Sequence, residues 1–263
     1  MTKKSKFFAT LLLTGWPIMF SCGAPKSDDA ASDLKIVGGS TVSASLYSNY
    51  FQSIASLRYT GQHFCGGTLI AANKVLTAAH CLHDFTASEI KNQITVTLGS
   101  SRLNSASGAQ TFNVASYKID SRYDPTTTQY DVAVITLSGN STIPPAPLNT
   151  SPSLPAAGGT VYTAGWGSTS EGGDVNTALK YTSVAVVSNA DCTKAYGSGI
   201  YAGNICAYTK GTDSCQGDSG GPLYTYDGKK LTLVGIVSWG QGCAEPGFPG
   251  VYTRISSFNP LSM

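Results

Sequence analysis

Charged residues are scarce in this chain of 263 residues, in which Asp, Glu, Lys and Arg together make up 12%. The first 35 residues hold five lysines and three aspartates, so the remainder carries 12 basic and 12 acidic residues. A neutral chain gives no reason to expect nucleic acid as a partner, and we exclude it. Low charge with 29 glycines and many Val, Thr, Ser and Tyr is typical of a β-rich secreted protein, not of a helical or disordered one.

A hydrophobic run of membrane-spanning length is also missing. The apolar run near the start covers 14 residues, 7–20, and is broken by Gly15 and Pro17. It follows three lysines and precedes small residues, which is typical of a signal peptide. We therefore predict a signal peptide over residues 1–22, a propeptide or spacer over 23–35 and a folded domain over 36–263. The protein is expected to be secreted or otherwise extracytoplasmic.

Cysteine is sparse, with seven residues, but its use suits an oxidising compartment. Cys22 is left over at the end of the apolar run, and two processing routes stay open for it. Ordinary signal cleavage near Gly23 or Ala24 would remove it. In bacterial lipoproteins, a cysteine at this place is lipidated and becomes the new N-terminus; the small Ser21 suits that route, whereas the bulky Phe20 does not. The other six form an even set: Cys65, Cys81, Cys192, Cys206, Cys215 and Cys243.

Histidine is rare as well, and its positions decide which hydrolase architectures fit. The stretch "GTDSCQGDSGGPL" holds Ser219 in the frame Gly-x-Ser-x-Gly, which marks an activated serine in several unrelated hydrolases. Such a serine needs a histidine base, and the chain offers only His63, His80 and His83, all before Ser219. The α/β-hydrolase order places the histidine after the serine and is excluded. The subtilisin order would need an acid from the polar leader, so the order His, Asp, Ser remains.

Short apolar or alternating segments recur between turn-rich stretches from residue 36 onward. They include "HFCGGTLI", "ITVTLGS", "QTFNVASYKI", "DVAVITL", "TVYTAGWG", "YTSVAVV" and "LTLVGIVSWG". Strands of this length and spacing predict an all-β sandwich or a pair of barrels. The proline-rich segment 143–159 is then the crossing between two β halves.

Seven dispersed motifs resemble a known family. They are "IVGG" (36–39), "TAAHC" (77–81), "DVAVITL" (131–137), "GWG" (165–167), "DSCQGDSGGP" (213–222), "SWG" (238–240) and "PGVYTR" (249–254). In this order they resemble trypsin-like serine proteases of the chymotrypsin family. The resemblance implies an all-β fold of two six-stranded antiparallel Greek-key β-barrels packed together, and an exported serine endopeptidase. The family's C-terminal helix is expected to be curtailed, because only nine residues follow Arg254.

The resemblance implies a catalytic triad of His80, Asp131 and Ser219. Ser219 would attack the scissile carbonyl, His80 would take and return the proton, and Asp131 would stabilise the imidazolium. Ser238 resembles the serine that helps to hold this acid. The N–H groups of Gly217 and Ser219 are expected to form the oxyanion hole.

The resemblance also implies how substrate is chosen. Asp213 resembles the acid at the base of trypsin's specificity pocket, and Ser214 beside it favours accepting Lys as well as Arg. Gly240 and Gly250 match glycines that leave such a pocket open, next to Ser238 and Trp239 in the wall. A buried carboxylate in an apolar slot is unfavourable until a cation arrives, so cleavage after Arg or Lys is expected. The expected disulfides, also from the resemblance, are Cys65–Cys81, Cys192–Cys206 and Cys215–Cys243.

The stretch "LK-IVGG" matches a zymogen activation junction, the bond that is cleaved to produce the active enzyme. Cleavage after Lys35 would free the α-amino group of Ile36, which is expected to pair with Asp218 beside the nucleophile. The protein would then be made as a zymogen. Lys35 satisfies the expected specificity, so activation by the enzyme itself and activation by another protease both stay open.

No metal or other cofactor is expected. His80 and His83 would give a metal only two ligands, and His63 is assigned a surface or packing role. Where the trypsins' calcium loop carries glutamates, this chain has Ser100 and Gln110, which lack the carboxylates that Ca²⁺ prefers.

The expected partners are protein or peptide substrates and proteinaceous inhibitors, with the protein acting as a monomer. A lipid on Cys22 is the one membrane contact that the sequence suggests. An alternative is a catalytically silent binding module on the same fold. Such proteins usually lose a triad residue or the activation junction, and this chain keeps all of them.

Overall fold

The computed structural model describes residues 39–263. The predicted signal and spacer segments, with Cys22, Lys35 and Ile36, lie outside the described residues. Within them the chain forms thirteen strands: β1 (Ser40–Thr41), β2 (Ile54–Tyr59), β3 (Gln62–Ala71), β4 (Lys74–Thr77), β5 (Ile94–Leu98), β6 (Gln110–Ile119), β7 (Ala133–Leu137), β8 (Thr160–Gly165), β9 (Lys180–Val187), β10 (Asn204–Tyr208), β11 (Pro222–Tyr226), β12 (Leu231–Trp239) and β13 (Gly250–Arg254).

Twelve of these strands form two closed antiparallel barrels of six strands each. The first barrel has the order β2-β3-β4-β7-β6-β5 and closes where β5 pairs with β2. The second has the order β8-β9-β10-β13-β12-β11 and closes where β11 pairs with β8. The short strand β1 adds to the edge of β9 through the pair Ser40 and Tyr181. The predicted all-β fold of two six-stranded barrels is confirmed.

The strands form where β-branched and aromatic residues are dense, because such side chains pack well on a pleated surface. The interior of the second barrel is filled by an apolar cluster made of Val161, Val184, Val186, Ile205, Ala207, Leu223, Val234, Val237 and Tyr252. A larger cluster fills the first barrel and continues to residues of the second, among them Tyr224, Leu233 and Ile236. A shared core of this kind fixes the two barrels against each other, and with them the loops that they carry.

Helices are few and short in the described part of the chain. The α-helices are α1 (Ala44–Leu46), α2 (His80–His83), α3 (Ala87–Gln93) and α4 (Asn189–Tyr196), and a π-helical turn covers Tyr47–Phe51. After β13 there are two 3-10 helices, Ile255–Ser257 and Pro260–Ser262, and no α-helix up to Met263, as predicted. None of the helices in residues 39–263 is long and apolar enough to cross a bilayer.

The proline-rich segment 143–159 connects the barrels. It leaves the first barrel after β7 and enters the second at β8. On the way, Leu148 bridges to Leu233 of β12, and the amide of Asn149 donates to the carbonyl of Leu233 at 2.9 Å. The predicted crossing is therefore tied down along the second barrel.

Candidate active site

Ser219 lies in a tight turn directly before β11, pressed against the first barrel. Its carbonyl accepts a hydrogen bond from the amide of Gly66 in β3 at 2.7 Å. The next residue, Gly220, has φ +77°, and a Cβ atom there would lie 2.2 Å from Oγ1 of Thr77. Only glycine fits both the backbone angle and the contact. The two glycines after Ser219 in the sequence thus serve to bring the turn of one barrel against the strands of the other.

The imidazole of His80 comes from the first barrel, at the start of α2 just after β4. Asp131, two residues before β7, is fully buried beside it. Oδ2 of Asp131 lies 2.8 Å from Nδ1 of His80, and Oδ1 accepts the backbone amide of His80 at 2.9 Å. The hydroxyl of Ser238 in β12 donates to the same Oδ2 at 2.5 Å. Since an ionised carboxylate only accepts, the proton of a neutral His80 belongs on Nδ1, and Nε2 stays free to accept one.

Ser219 and His80 are not hydrogen-bonded to each other in the described part of the chain. Within residues 39–263, His80 Nε2 instead lies 3.8 Å from the sulfur of Cys81. Catalytic hydrogen bonds of this kind are often long without substrate and tighten in the enzyme–substrate complex. Ser219 lines one cavity and His80 lines another, and the two cavities share Ser238 and Trp239 in their walls.

Two backbone N–H groups at the turn that carries Ser219 have no protein acceptor among the described residues. Gly217 has φ +94°, and across residues 39–263 neither its amide nor that of Ser219 donates a hydrogen bond to protein. The nearby Asp218 amide, by contrast, donates to Cys215. Unpaired amides two residues apart in a turn make an anion-binding concavity.

His63 contributes a contact that the sequence did not reveal. Its Nε2 lies 2.9 Å from the carbonyl oxygen of Gly217, and its Nδ1 lies 2.9 Å from the Ser56 hydroxyl. Burial lowers the pKa of His63 to about 4, so the ring is neutral at neutral pH. Because a carbonyl only accepts, Nε2 must carry the ring proton and donate it to Gly217. The ring also packs edge-on against Trp166 at 5.5 Å. No sequence motif marked this cross-barrel contact.

Asp213 lies at the base of a cavity of about 150 Å³ that also reaches Ser219. Its carboxylate accepts the amides of Ser214 at 2.8 Å and Ala244 at 3.1 Å. Burial raises its pKa to about 6, and no cation pairs with it among the described residues. The cavity contains every predicted substrate-binding residue, and its lining is Asp213, Ser214, Cys215, Gln216, Ser219, Val237, Ser238, Trp239, Gly240, Gly242, Cys243 and Gly250.

Gly250 is needed for this cavity. A Cβ atom at that position would lie 2.8 Å from Oδ1 of Asp213. A side chain there would collide with the carboxylate and fill the slot. A second cavity, of about 400 Å³, continues from His80 past Ser238 and Trp239, and it is lined in addition by His83, Asp84, Tyr123, Pro125 and Thr128.

Asp218 is buried, with 1% of its surface exposed, although it is next to Ser219 at the cavity. Its oxygens accept the amides of Gly167 at 2.8 Å and Cys215 at 2.9 Å. Burial raises its pKa to about 6, and no cation pairs with it within residues 39–263. An unpaired buried carboxylate is energetically unfavourable, so a cation placed beside Asp218 would stabilise its ionised form.

Three disulfides join the cysteines of the described chain. They are Cys65–Cys81, Cys192–Cys206 and Cys215–Cys243, the pairs that the family resemblance implied. The first fastens the loop of His80 to β3, and the third connects two walls of the Asp213 cavity.

The positions considered for metal ions make other contacts. His83 stacks edge-on with Tyr123 at 5.4 Å. The Ser100 hydroxyl donates to the Arg102 carbonyl, and the side-chain oxygen of Gln110 accepts from Ser141. Among the described residues the one cluster with metal-ligand spacing is Cys65, His80 and Cys81, whose sulfurs are joined in a disulfide.

Two six-stranded barrels, with a serine and a pair of histidine and buried carboxylate on neighbouring cavities, are typical of the serine hydrolases built on a double β-barrel. The family model described as Trypsin matches residues 36–261. The chain therefore belongs to the trypsin family, and it is a trypsin-like serine endopeptidase.

Individual relatives agree with the family match. Trypsin alpha-4 of Lucilia cuprina is 42% identical over 232 residues, which covers 86% of this chain and 85% of the relative. Trypsin delta of Drosophila melanogaster is 39% identical over 233 residues, 86% of each chain. Hypodermin-A of Hypoderma lineatum is 36% identical over 259 residues, 95% of each chain.

Proposed function

We propose that this endopeptidase cleaves peptide bonds on the carboxyl side of Arg or Lys. The observation that carries the proposal is the buried carboxylate of Asp213, which has no cationic partner in the described chain and faces a cavity shared with Ser219. A guanidinium or ammonium group in that cavity would supply the missing charge, and the free energy gained on pairing would hold the scissile bond at the nucleophile. The sequences named trypsin among its relatives support the same specificity.

The proposed chemistry is carried by Ser219, His80 and Asp131. Nε2 of His80 takes the hydroxyl proton as Ser219 attacks the carbonyl carbon, and a tetrahedral intermediate forms. The proton then passes from Nε2 to the leaving amine, the C–N bond breaks, and an acyl-enzyme remains. A water molecule then attacks the acyl carbon while His80 takes its proton. His80 returns the proton to the Ser219 oxygen as that oxygen leaves, and the carboxylic acid product is released. Asp131 remains ionised throughout and stabilises the imidazolium.

The amides of Gly217 and Ser219 are the proposed oxyanion hole. They carry no protein acceptor in residues 39–263, so they are available for the negative oxygen of the intermediate. Such donors contribute most where charge develops in the transition state, at about 3–4 kcal/mol each. The hydrogen bond from His63 to the Gly217 carbonyl restrains the Gly217–Asp218 peptide, which lies between these two amides.

We also propose that the protein is made as a zymogen activated by cleavage after Lys35. The new α-ammonium of Ile36 would pair with Asp218, whose raised pKa reflects a buried carboxylate with no cation beside it in the described chain. A chain with Lys35→Gln and its extension retained is expected to be nearly inactive. Full activity of that uncleaved chain would overturn the activation mechanism.

The same pair predicts an alkaline limit to activity. A free α-amino group titrates near about 7.7–8.0, and pairing with a carboxylate raises its pKa. Activity of the cleaved enzyme is therefore expected to fall at alkaline pH as Ile36 loses its proton. Activity that stays constant well above that range would contradict the pairing.

Export and anchoring are part of the proposal. The three disulfides suit an oxidising compartment outside the cytoplasm. If Cys22 is lipidated, cleavage at Lys35 would both activate the enzyme and release it from the membrane. We propose that the released enzyme acts as a monomer on proteins and is a target for proteinaceous inhibitors.

The lipid route is tested with the Ser219→Ala precursor in a lipid-modifying bacterial host, because this variant cannot cut itself. The precursor is expected with the membranes, and added trypsin should release a fragment that starts at Ile36. A wholly soluble precursor that lacks Cys22 would end this part of the proposal.

The main experiment compares paired peptides that differ only in Arg, Lys or Phe before the cleaved bond. The purified chain that begins at Ile36 is expected to hydrolyse the Arg and Lys peptides with much higher kcat/KM than the Phe peptide. Equal or higher kcat/KM for the Phe peptide would overturn the proposed specificity.

A further inference from the structure

The second half of the chain holds Asp131 at two points and the preceding residue, Tyr130, at a third, although both residues belong to the first half. Ser238 of β12 bonds its carboxylate. Thr253 of β13 donates its hydroxyl to the carbonyl oxygen of Asp131 at 2.9 Å. The third contact comes from Tyr201, whose hydroxyl oxygen accepts the amide of Tyr130 at 2.7 Å. Two of these contacts therefore act on Asp131 itself, at its carboxylate and at its carbonyl, and the third restrains the backbone amide of Tyr130 directly before it.

The backbone before Asp131 has an unusual conformation. Tyr130 has φ +56°, a left-handed angle that residues other than glycine rarely adopt. The amide of Val132 then donates to the carbonyl of Tyr130 at 2.8 Å, which closes a tight turn centred on Asp131. Such a strained backbone persists only where surrounding contacts determine it. The hydroxyl of Tyr201 is one of those contacts, since it binds the amide of the strained residue itself.

Tyr201 is itself rigidly placed. Its amide donates to the side-chain oxygen of Asn204 at 3.1 Å, and its carbonyl accepts the side chain of Asn189 in α4 at 2.9 Å. Its ring lies over Gly203, where a Cβ atom would come within 2.3 Å of the ring. The ring also packs against that of Tyr130, with centroids 5.2 Å apart. The hydroxyl therefore belongs to a fixed part of the second barrel.

We propose that Tyr201 is a positioning residue for the reaction, which acts by holding the Tyr130–Asp131 turn so that the carboxylate meets His80. This inference rests on the proposed triad. Without the hydroxyl, the left-handed turn loses an acceptor and relaxes, and the carboxylate shifts relative to the imidazole. A small shift in such a group lowers the rate of the chemical step and leaves substrate binding in the Asp213 cavity unchanged.

The test is a double-mutant cycle with Tyr201→Phe and Asp131→Asn in the chain that begins at Ile36. In the otherwise unchanged enzyme, Tyr201→Phe is expected to lower kcat about ten-fold and to change KM less than about two-fold. In the Asp131→Asn background the same change should have almost no further effect, because it acts only through Asp131. Tyr50→Phe is the matched control, since it removes a hydroxyl whose hydrogen-bond partner within residues 39–263 is the hydroxyl of Tyr226. An equal kcat loss in both backgrounds, or no loss in either, would overturn the proposal.

A second measurement does not depend on turnover. The proton between His80 Nδ1 and Asp131 is expected to give a strongly downfield NMR resonance, because the two atoms are 2.8 Å apart. Tyr201→Phe should shift or broaden this resonance, and Tyr50→Phe should not. An unaltered resonance in folded Tyr201→Phe would refute the positioning role even if peptide hydrolysis itself proved absent. Absent hydrolysis in the unsubstituted enzyme with a shifted resonance would instead leave the positioning role standing and count against the proposed function.

Discussion

Asp131 holds His80 at two points, with one carboxylate oxygen on the ring nitrogen Nδ1 and the other on the backbone amide of the same residue. This relationship orients the imidazole without a flexible intermediary, because ring and backbone are fixed by one buried group. It also links the start of α2 to the start of β7, so the geometry of the base depends on the packing of the first barrel.

Asp131→Asn tests this relationship. An amide group of the same size would present a donor to Nδ1 and favour the wrong tautomer of His80, with the fold retained. We expect kcat to fall about 10⁴-fold, which is the effect of an Asp→Asn change in the Ser-His-Asp triad of serine proteases. The measurement is kcat on an Arg peptide, with circular dichroism to confirm folding. A loss below about ten-fold would show that Asp131 does not orient the base.

Asp213→Ser tests the specificity pocket. The change removes one partner of the proposed charge pair and is expected to weaken transition-state binding of Arg peptides by about 2–5 kcal/mol. Hydrolysis of a Phe peptide should not fall, since it needs no carboxylate. Asp227→Ser, in the exposed hairpin between β11 and β12, is the matched control. An unchanged Arg/Phe ratio of kcat/KM in Asp213→Ser would mean that the cation binds elsewhere.

The raised pKa of Asp213 predicts a pH-dependent selectivity. Burial raises this pKa to about 6, so the ionised fraction falls from about nine-tenths at pH 7 to about one-tenth at pH 5. Only the ionised form attracts a cation, so KM for Arg peptides should rise as the pH falls through 6. The Arg/Phe ratio of kcat/KM isolates this effect, because protonation elsewhere acts on both substrates. A ratio that is constant from pH 7 to pH 5 would contradict a buried ionisable carboxylate in the pocket.

Gly220→Ala tests how the nucleophile turn is held. The new methyl group would meet Thr77 and the Gly66 carbonyl in a left-handed conformation, a strain of about 1–3 kcal/mol before the clash is counted. We expect a lower melting temperature and a lower kcat. Expressed as a free energy of activation, the loss of kcat should exceed the loss in the free energy of unfolding, since the turn carries Ser219. Gly228→Ala is the control: it also has positive φ, but its Cβ would meet nothing within 4 Å. Equal effects of the two changes would show that the contact with the first barrel is unimportant.

The fold could be predicted from the sequence, and so could the positions of most candidate site residues, because the motifs that mark them are local. The order of His80 and Ser219 excluded other hydrolase folds, and the strands β7 and β12 coincide with the apolar runs in the sequence. Contacts between distant segments did not follow. The hydrogen bond from His63 to Gly217 and the one between Tyr130 and Tyr201 join residues from different barrels, where no periodicity or spacing reports on proximity. The left-handed angle of Tyr130 also had no sequence signal, since neither glycine nor asparagine stands there.

Ser219 is the residue on which the account depends, and covalent labelling tests it most directly. A fluorophosphonate reacts only with an activated serine, loses fluoride and leaves a stable phosphonyl ester. We predict one label for each chain that begins at Ile36, located by mass spectrometry on Ser219, and no label in the folded His80→Ala variant. A label on another residue, or an unlabelled chain that still hydrolyses peptides, would contradict the account.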